Sequence, residues 1–190
     1  MSETDTDSNS GTYAVILDVL HHGRSDAAGS AYRDVPVAYG VSEEDFTLYE
    51  FALAENTDIS IGDHVQVEPS FDDGIDRGHS VDYDDLTDGA RSELDYVVAE
   101  IIEDNEERFV NVFNEAGAVS LRQHQLDLLP GIGQKLRDKI LDERRREPFE
   151  SFEELEERVS GLHDPEEVIE ERIFEEITDN TLKYHLFTRS

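Results

Sequence analysis

The chain has no cysteine among its 190 residues, and only three of its sixteen basic residues are lysine (Lys135, Lys139, Lys183). Without thiols there is no disulfide, no thiolate zinc site and no cysteine nucleophile, and the lack fits a reducing compartment. No apolar run approaches the roughly 20 residues needed to cross a bilayer. The first ten residues, Met1 to Ser10, are polar and acidic instead of basic and then apolar. The expectation is a soluble, cytoplasmic protein with no membrane partner. Enzyme signatures are missing as well: no Walker motif, no G-x-S-x-G elbow and no dinucleotide fingerprint. The seven histidines are scattered, and Asp72-Asp73-Gly74-Ile75-Asp76 lacks the alternating ligands and closing glutamate of a calcium loop. The reading is therefore non-enzymatic, with no catalytic residue, no metal site and no cofactor.

Carboxylates dominate what is present. Forty-seven Asp and Glu against sixteen Lys and Arg give a net charge of −31, which by itself argues against a nucleic-acid partner, since phosphate recognition leans on a basic footprint. Scarce lysine beneath an acidic coat, however, looks like the surface of a protein from an extreme halophile, where carboxylates keep the fold hydrated. A polyanion that mimics nucleic acid is the competing reading, but a mimic has no use for a basic hairpin. In molar salt the Debye length falls to about 3 Å. Global charge then stops choosing the partner, and close hydrogen bonds from arginine, lysine and backbone N–H groups choose it instead.

The length suits two small domains better than one large core. Residues 1–11 read as a disordered acidic leader. Tyr13 to Leu20 is a buried strand, His21 to Asp26 a polar loop, and Val35 to Tyr39, Phe46 to Leu53, His64 to Val67 and His79 to Tyr83 are further short strands. Five strands in residues 12–87 suggest a small closed or nearly closed barrel, of the oligonucleotide-binding (OB) type or another small kind. Leu94, Val97, Val98, Ile101 and Ile102 then fall at helical spacing and Phe109, Val112 and Phe113 continue the stripe. Residues 88–118 are accordingly expected to be connecting and capping helices. Residues 119–190 read as one domain, helical from Leu121 onward except at two breaks, Pro130-Gly131-Ile132-Gly133 and Ser160 to Pro165. The fold class is thus α+β, an OB-like barrel followed by an all-α domain built on two hairpins.

Those breaks form a degenerate repeat. Leu129-Pro130-Gly131-Ile132-Gly133 aligns with Val159-Ser160-Gly161-Leu162-His163 at a thirty-residue offset. The first copy lies in Arg122 to Arg146, which holds seven basic residues against four acids, a net charge of +3, while the nine basic and 43 acidic residues elsewhere give −34. Gly131 and Gly133 leave no side chain between their amides and a ligand, and the following helix presents its positive end. A phosphate oxygen is the natural occupant, contacted by Gly131, Ile132, Gly133, Gln134, Lys135, Arg137 and Lys139. Arg122, Arg144, Arg145 and Arg146 are secondary candidates, since basic residues at a helix C-terminus also stabilise its dipole. The alternative is a hairpin that merely joins two helices. In the second copy His163 is expected to obstruct the turn and Asp164, Glu166 and Glu167 to repel an anion, leaving that unit structural around Leu155, Val159, Leu162, Val168, Ile169, Ile173 and Ile177.

Leu128 to Ile140 resembles the helix-hairpin-helix motif, and Leu129 to Val159, with Pro148-Phe149 and Phe152-Glu153-Glu154-Leu155, is similar to tandem modules of that kind. With His22-Gly23-Arg24, Phe46-Thr47-Leu48, Tyr83-Asp84-Asp85-Leu86-Thr87, Asn105 to Val110 and His124 to Leu129, the whole of residues 12–188 resembles the archaeal family called domain of unknown function 655. The resemblance implies an archaeal source, a barrel plus tandem helix-hairpin-helix architecture and a nucleic-acid-binding role without catalysis. The resemblance favours RNA over DNA, in ribosome assembly or translation and with a ribosomal particle as partner, because family genes lie beside those for ribosomal RNA methylation and transcription components. Two other readings stand beside it: a DNA-binding accessory factor of repair, replication or transcription, and a protein-interaction scaffold contacting partners through Tyr39, Phe46, Tyr49 and Phe51. Those aromatics fit a barrel core better. Asp76 to Asp82 replaces the family's lysines and weakens any role for the barrel in binding.

Overall fold

The computed structural model describes residues 11–23 and 35–189. The acidic leader, apart from Gly11, and the loop residues Arg24 to Asp26 lie outside the described residues. The chain divides into two compact units, Met1–Glu93 and Leu94–Ser190. It is a mixed α+β protein, with a curled five-stranded antiparallel sheet and five helices among the described residues. Among the described residues no helix is long and apolar enough to cross a membrane.

The first unit contains β1 (Thr12–Leu20), β2 (Val37–Ser42), β3 (Leu48–Leu53), β4 (His64–Glu68) and β5 (Ile75–Ser80), in the order β4-β1-β2-β3-β5. Ala14 to Leu17 are buried in succession and all six residues of β2 are buried, the pattern of strands covered on both faces. A bulge between Ile16 and Asp18 breaks the alternation of β1. Ala14 and Ile16 face a core cluster, and after the bulge Val19 packs on that cluster in place of Asp18. The freed Asp18 accepts a 2.5 Å hydrogen bond from Thr87 Oγ1, which in turn accepts from the Ala90 N–H and caps helix α1 (Asp88–Asp104).

Flat, the two edge strands would stand about 19 Å apart, four spacings of about 4.8 Å. Val65 and Val67 of β4 nevertheless share the cluster with Phe51 of β3 and Ile75 of β5, so the sheet curls. It does not close: β4 pairs with β1 and β5 with β3, and neither pairs with the other. The expected closed or nearly closed barrel is thus a half-barrel. The last strand lies earlier than expected, at Ile75–Ser80, and Tyr83 sits in a 3₁₀ turn, Tyr83–Asp85. As an edge strand β5 buries only Ile75 fully, so its hydrophobic signal is weak. Gly78 is nonetheless required there, because an added Cβ would come 2.7 Å from the Phe51 ring opposite. Asp72 Oδ2 accepts the Gln66 N–H at 2.8 Å, giving that acidic loop a local structural use. Tyr39, Phe46 and Phe51 are 1%, 1% and 0% exposed, and half-buried Tyr49 stacks on Phe51 and packs against the core.

The second unit begins within α1, whose Leu94, Val97, Val98, Ile101 and Ile102 are buried as their spacing implies. Helix α2 (Glu106–Glu115) buries Phe109, Val110 and Phe113, so residues 94–118 belong to this unit's core. Helices α3 (Gln134–Arg146), α4 (Phe152–Arg158) and α5 (Pro165–Thr178) follow. Ser151 caps α4 as its sequence suggests, accepting the Glu154 N–H at 3.1 Å. Two expected helical stretches differ. Ahead of the first glycine turn there is only a four-residue 3₁₀ turn, Gln125–Leu128, preceded by a β-bridge between Ala118 and His124. After α5, residues 179–189 fold back without helix onto a buried charge. Glu176, 3% exposed, receives Arg172 Nε at 2.9 Å and the N–H groups of Leu186, Phe187 and Thr188 at 2.7, 2.9 and 3.0 Å.

Candidate functional site

The first glycine turn is anchored from beneath. Leu129 C=O accepts the Ile132 N–H at 3.2 Å, with Pro130 second and Gly131 third at φ +73°. Proline followed by a left-handed residue is the arrangement of a type II turn, which favours glycine at that third position. Leu129 and Ile132 are 2% and 5% exposed. Ile132 therefore holds the turn down and offers neither side chain nor amide to a ligand, which removes it from the expected contact set. The upper surface is bare: a Cβ added to Gly131 or to Gly133 meets nothing within 4 Å.

Gly133 is the N-cap of α3 and brings no side-chain cap. The first bond closing the helix runs from the Arg137 N–H to Gly133 C=O at 2.9 Å. The amides of Gln134, Lys135 and Leu136 thus have no acceptor within the helix, and those of Gly131 and Gly133 have none among the described residues. Gly131, Gly133, Gln134 and Lys135 are all exposed. These unbonded donors belong to exposed residues at the positive helix end, a setting that favours an anion.

The expected cations divide sharply. Lys135 is exposed and makes no ion pair or hydrogen bond among the described residues, and the same holds for the Arg122 side chain. Arg137 is held by the fold instead: its Nη1 reaches Asp127 Oδ1 and Oδ2 at 3.0 and 2.8 Å, and its Nε reaches Asp138 at 3.2 Å. The hydrogen bond to Asp127 raises its pKa further above the usual guanidinium value. Lys139 donates to Ser160 C=O at 2.5 Å and so reaches the second turn, not the first. Arg144 closes the end of α2 through Phe113 C=O and Ala116 C=O at 3.0 and 2.9 Å, and burial, then the Arg145 charge, lowers its pKa. Each of these three spends at least one donor on the protein itself, which places it behind Lys135 as a contact. Arg145 and Arg146 make exposed pairs with Asp142 and Glu143, contacts of little energy that leave both guanidiniums in water.

At the second turn the thirty-residue repeat holds and then slips. Val159 C=O accepts the Leu162 N–H at 3.0 Å with Gly161 at φ +101°, matching the first turn. The N-cap of α5 is Asp164, one residue later than His163, with Pro165 at the first helical position. Obstruction comes from a different source than expected. His163 is 78% exposed beside Glu156, while Lys139 Nζ and Leu136 Cδ1 lie 3.9 and 4.0 Å from a Cβ placed on Gly161. Two side chains of α3 thus lie beside this exposed turn, Pro165 removes a donor, and Asp164, Glu166 and Glu167 add negative charge next to it.

Two structural residues escaped the sequence reading. His124 Nδ1 accepts the Leu126 N–H at 3.1 Å and caps the 3₁₀ turn, while Asp127 accepts the His124 N–H at 2.9 Å. The spacing His124-x-x-Asp127 is that of a capping box, obscured because histidine is not a usual cap. Arg158 closes the end of α3 through Glu143 C=O and Glu147 C=O at 2.8 and 2.7 Å and lies 4.5 Å over the Phe149 ring. Nothing in its sequence setting marks that role.

The chain is 38% identical over 179 residues to uncharacterized protein MJ0038 of Methanocaldococcus jannaschii, covering 93% of this chain and 79% of that protein. Its fold matches the crystal structure of Af1531 from Archaeoglobus fulgidus with a TM-score of 0.81 and 37% identity, covering 94% of this chain and 99% of that one. Residues 10–189 match the family described as protein of unknown function (DUF655). With identity, fold and family match spanning nearly the same residues, the chain belongs to the DUF655 family.

Proposed function

We propose that this protein is a non-enzymatic nucleic-acid-binding protein that holds a sugar–phosphate backbone on its first glycine turn, with RNA as the favoured target. The observation that carries the reading is the set of amides at Gly131 and from Gly133 to Leu136 that have no acceptor among the described residues, with exposed Lys135 beside them. Contacts of this kind engage phosphate rather than base edges and carry little sequence preference. The second unit reads as a compact tandem helix-hairpin-helix module whose leading helix has contracted to a 3₁₀ turn; the two turns of matching geometry support that reading. The first unit reads as an OB-like half-barrel. The preference for RNA over DNA, and for a ribosomal setting, comes from the family resemblance, and the acidic coat fits a halophilic archaeal cytoplasm.

The test is fluorescence anisotropy with a structured ribosomal RNA fragment in molar potassium chloride. Gly133 sits at φ −89° in open space, so Gly133→Leu shields the amides without backbone strain. The expected loss is about tenfold or more in affinity with an unchanged helical circular-dichroism signal. Lys135→Ala should lower the slope of log K against log salt by about one phosphate contact. Unchanged affinity in both variants overturns the reading. Competition between duplex DNA and the same RNA for one labelled site decides between the two nucleic acids.

A further inference from the structure

Among the described residues three large apolar side chains stand exposed: Ile61 at 53%, Tyr96 at 75% and Leu121 at 105%. Leu121 differs from the others in how the backbone presents it. The N–H groups of Val119 and Ser120 both donate to Gln123 C=O, at 3.0 and 3.2 Å, and Ala118 bridges to His124. Ser120 Oγ accepts the Arg122 N–H at 3.3 Å. Beneath this tip the Gln125 N–H donates to Gly117 C=O at 2.8 Å and Gln125 Oε1 accepts the Gly117 N–H at 2.7 Å. The loop is therefore braced at its apex and its base, and the leucine cannot relax into the core.

None of those bonds uses the side chain at position 121, so a polar residue would serve the loop equally and expose no apolar surface. The neighbour is Arg122, whose guanidinium has no partner among the described residues. Asp127 also fixes the tip to the bare turn, taking the His124 N–H at the base of the tip and Arg137 in the first turns of α3. We propose that Leu121 and Arg122 form a second contact of the same nucleic-acid site, Leu121 set against a base or sugar face and Arg122 on a phosphate. This rests on the glycine-turn reading. Apolar side chains wedge against base steps in this way. Salt screens phosphate contacts but not apolar ones, so such a contact keeps its strength in molar salt.

The experiment uses the full chain and an RNA hairpin carrying 2-aminopurine in its loop, with anisotropy and 2-aminopurine fluorescence read between about 0.3 and 3 M potassium chloride, about tenfold in ionic strength and threefold in screening length. Leu121→Ser should weaken binding about tenfold at every salt concentration without changing the salt slope, and should abolish the fluorescence change. Arg122→Ala should lower the slope by about one. Tyr96→Ser, a control at another exposed large side chain, should do neither. If Gly133→Leu weakens binding while Leu121→Ser leaves affinity and fluorescence unchanged, this inference is overturned and the glycine-turn reading stands. No binding by the wild-type protein overturns both. If Leu121→Ser changes only the sedimentation coefficient, the tip belongs to a self-association surface and the inference also fails.

Discussion

Asp127 shows how one carboxylate positions a whole loop. Its oxygens take the His124 N–H and Arg137 Nη1, so the apical tip, the 3₁₀ turn and the start of α3 move together. Arg137 is therefore held to Asp127 by Nη1 and to Asp138 by Nε although it lies in the right turn of the right helix. Arg144 is a parallel case, since two carbonyls of the end of α2 occupy it. Charge-assisted hydrogen bonds of that kind contribute about 1.5–3 kcal/mol each. Arg144→Ala is expected to lower unfolding free energy by about 2–3 kcal/mol in urea titration, while the salt slope of nucleic-acid binding stays unchanged. A fall in the slope instead would return Arg144 to the contact set. Position along the sequence could mark these residues as basic but not say which donors were already spent inside the fold.

At the scale of elements, the 3₁₀ turn depends on a neutral histidine. His124 accepts the Leu126 N–H through Nδ1, and burial first, then the Arg144 charge, lowers its pKa from 6.5. The unfolded chain therefore binds the proton more readily than the folded one. Its stabilising contribution is present above pH 6.5 and is lost as pH falls from there through the lowered folded value. Thermal melts between pH 7.5 and 5 (about the range where histidine titrates) should show a decline that His124→Asn removes. The tail after α5 is a second element made by burial. Glu176→Gln takes away the charge that balances Arg172, itself 5% exposed, and loss of one member of a buried pair costs on the order of 3 kcal/mol. Hydrogen exchange should report faster opening at Leu186 to Thr188, and unchanged protection there would disprove the tail's dependence on that carboxylate. Helical spacing revealed α1, α2 and α5 because each has a long apolar stripe. It missed the unwinding at 121–128, where short-range caps and a bridge consume the backbone bonds a helix would need.

For the whole molecule the governing quantity is a charge of −31 carried on 190 residues. At about 0.1 M salt the screening length is about 10 Å, long enough for surface carboxylates to repel one another across the fold, whereas at about 1 M it is about 3 Å. The melting temperature should rise steadily with potassium chloride up to molar concentrations, followed by circular dichroism. A flat or falling curve would remove the halophilic interpretation of the composition. The basic island escapes that logic because its free donors act at contact distance, where screening has little effect.

Composition and periodicity alone determined the two-part α+β character, the apolar identity of the strands and helices, and the glycine turn at 129–133 with its echo thirty residues on. Those features are local: proline before glycine sets a turn, and apolar spacing sets a face, whatever the rest of the chain does. Only the tertiary structure decided that the sheet stays open, that the leading helix shortens to a 3₁₀ turn, and that Lys135 and Arg122 remain free while Arg137, Lys139 and Arg144 do not. Each of those outcomes depends on which distant carbonyl or carboxylate lies within hydrogen-bonding reach. Distances of that kind come into being only when the chain has folded.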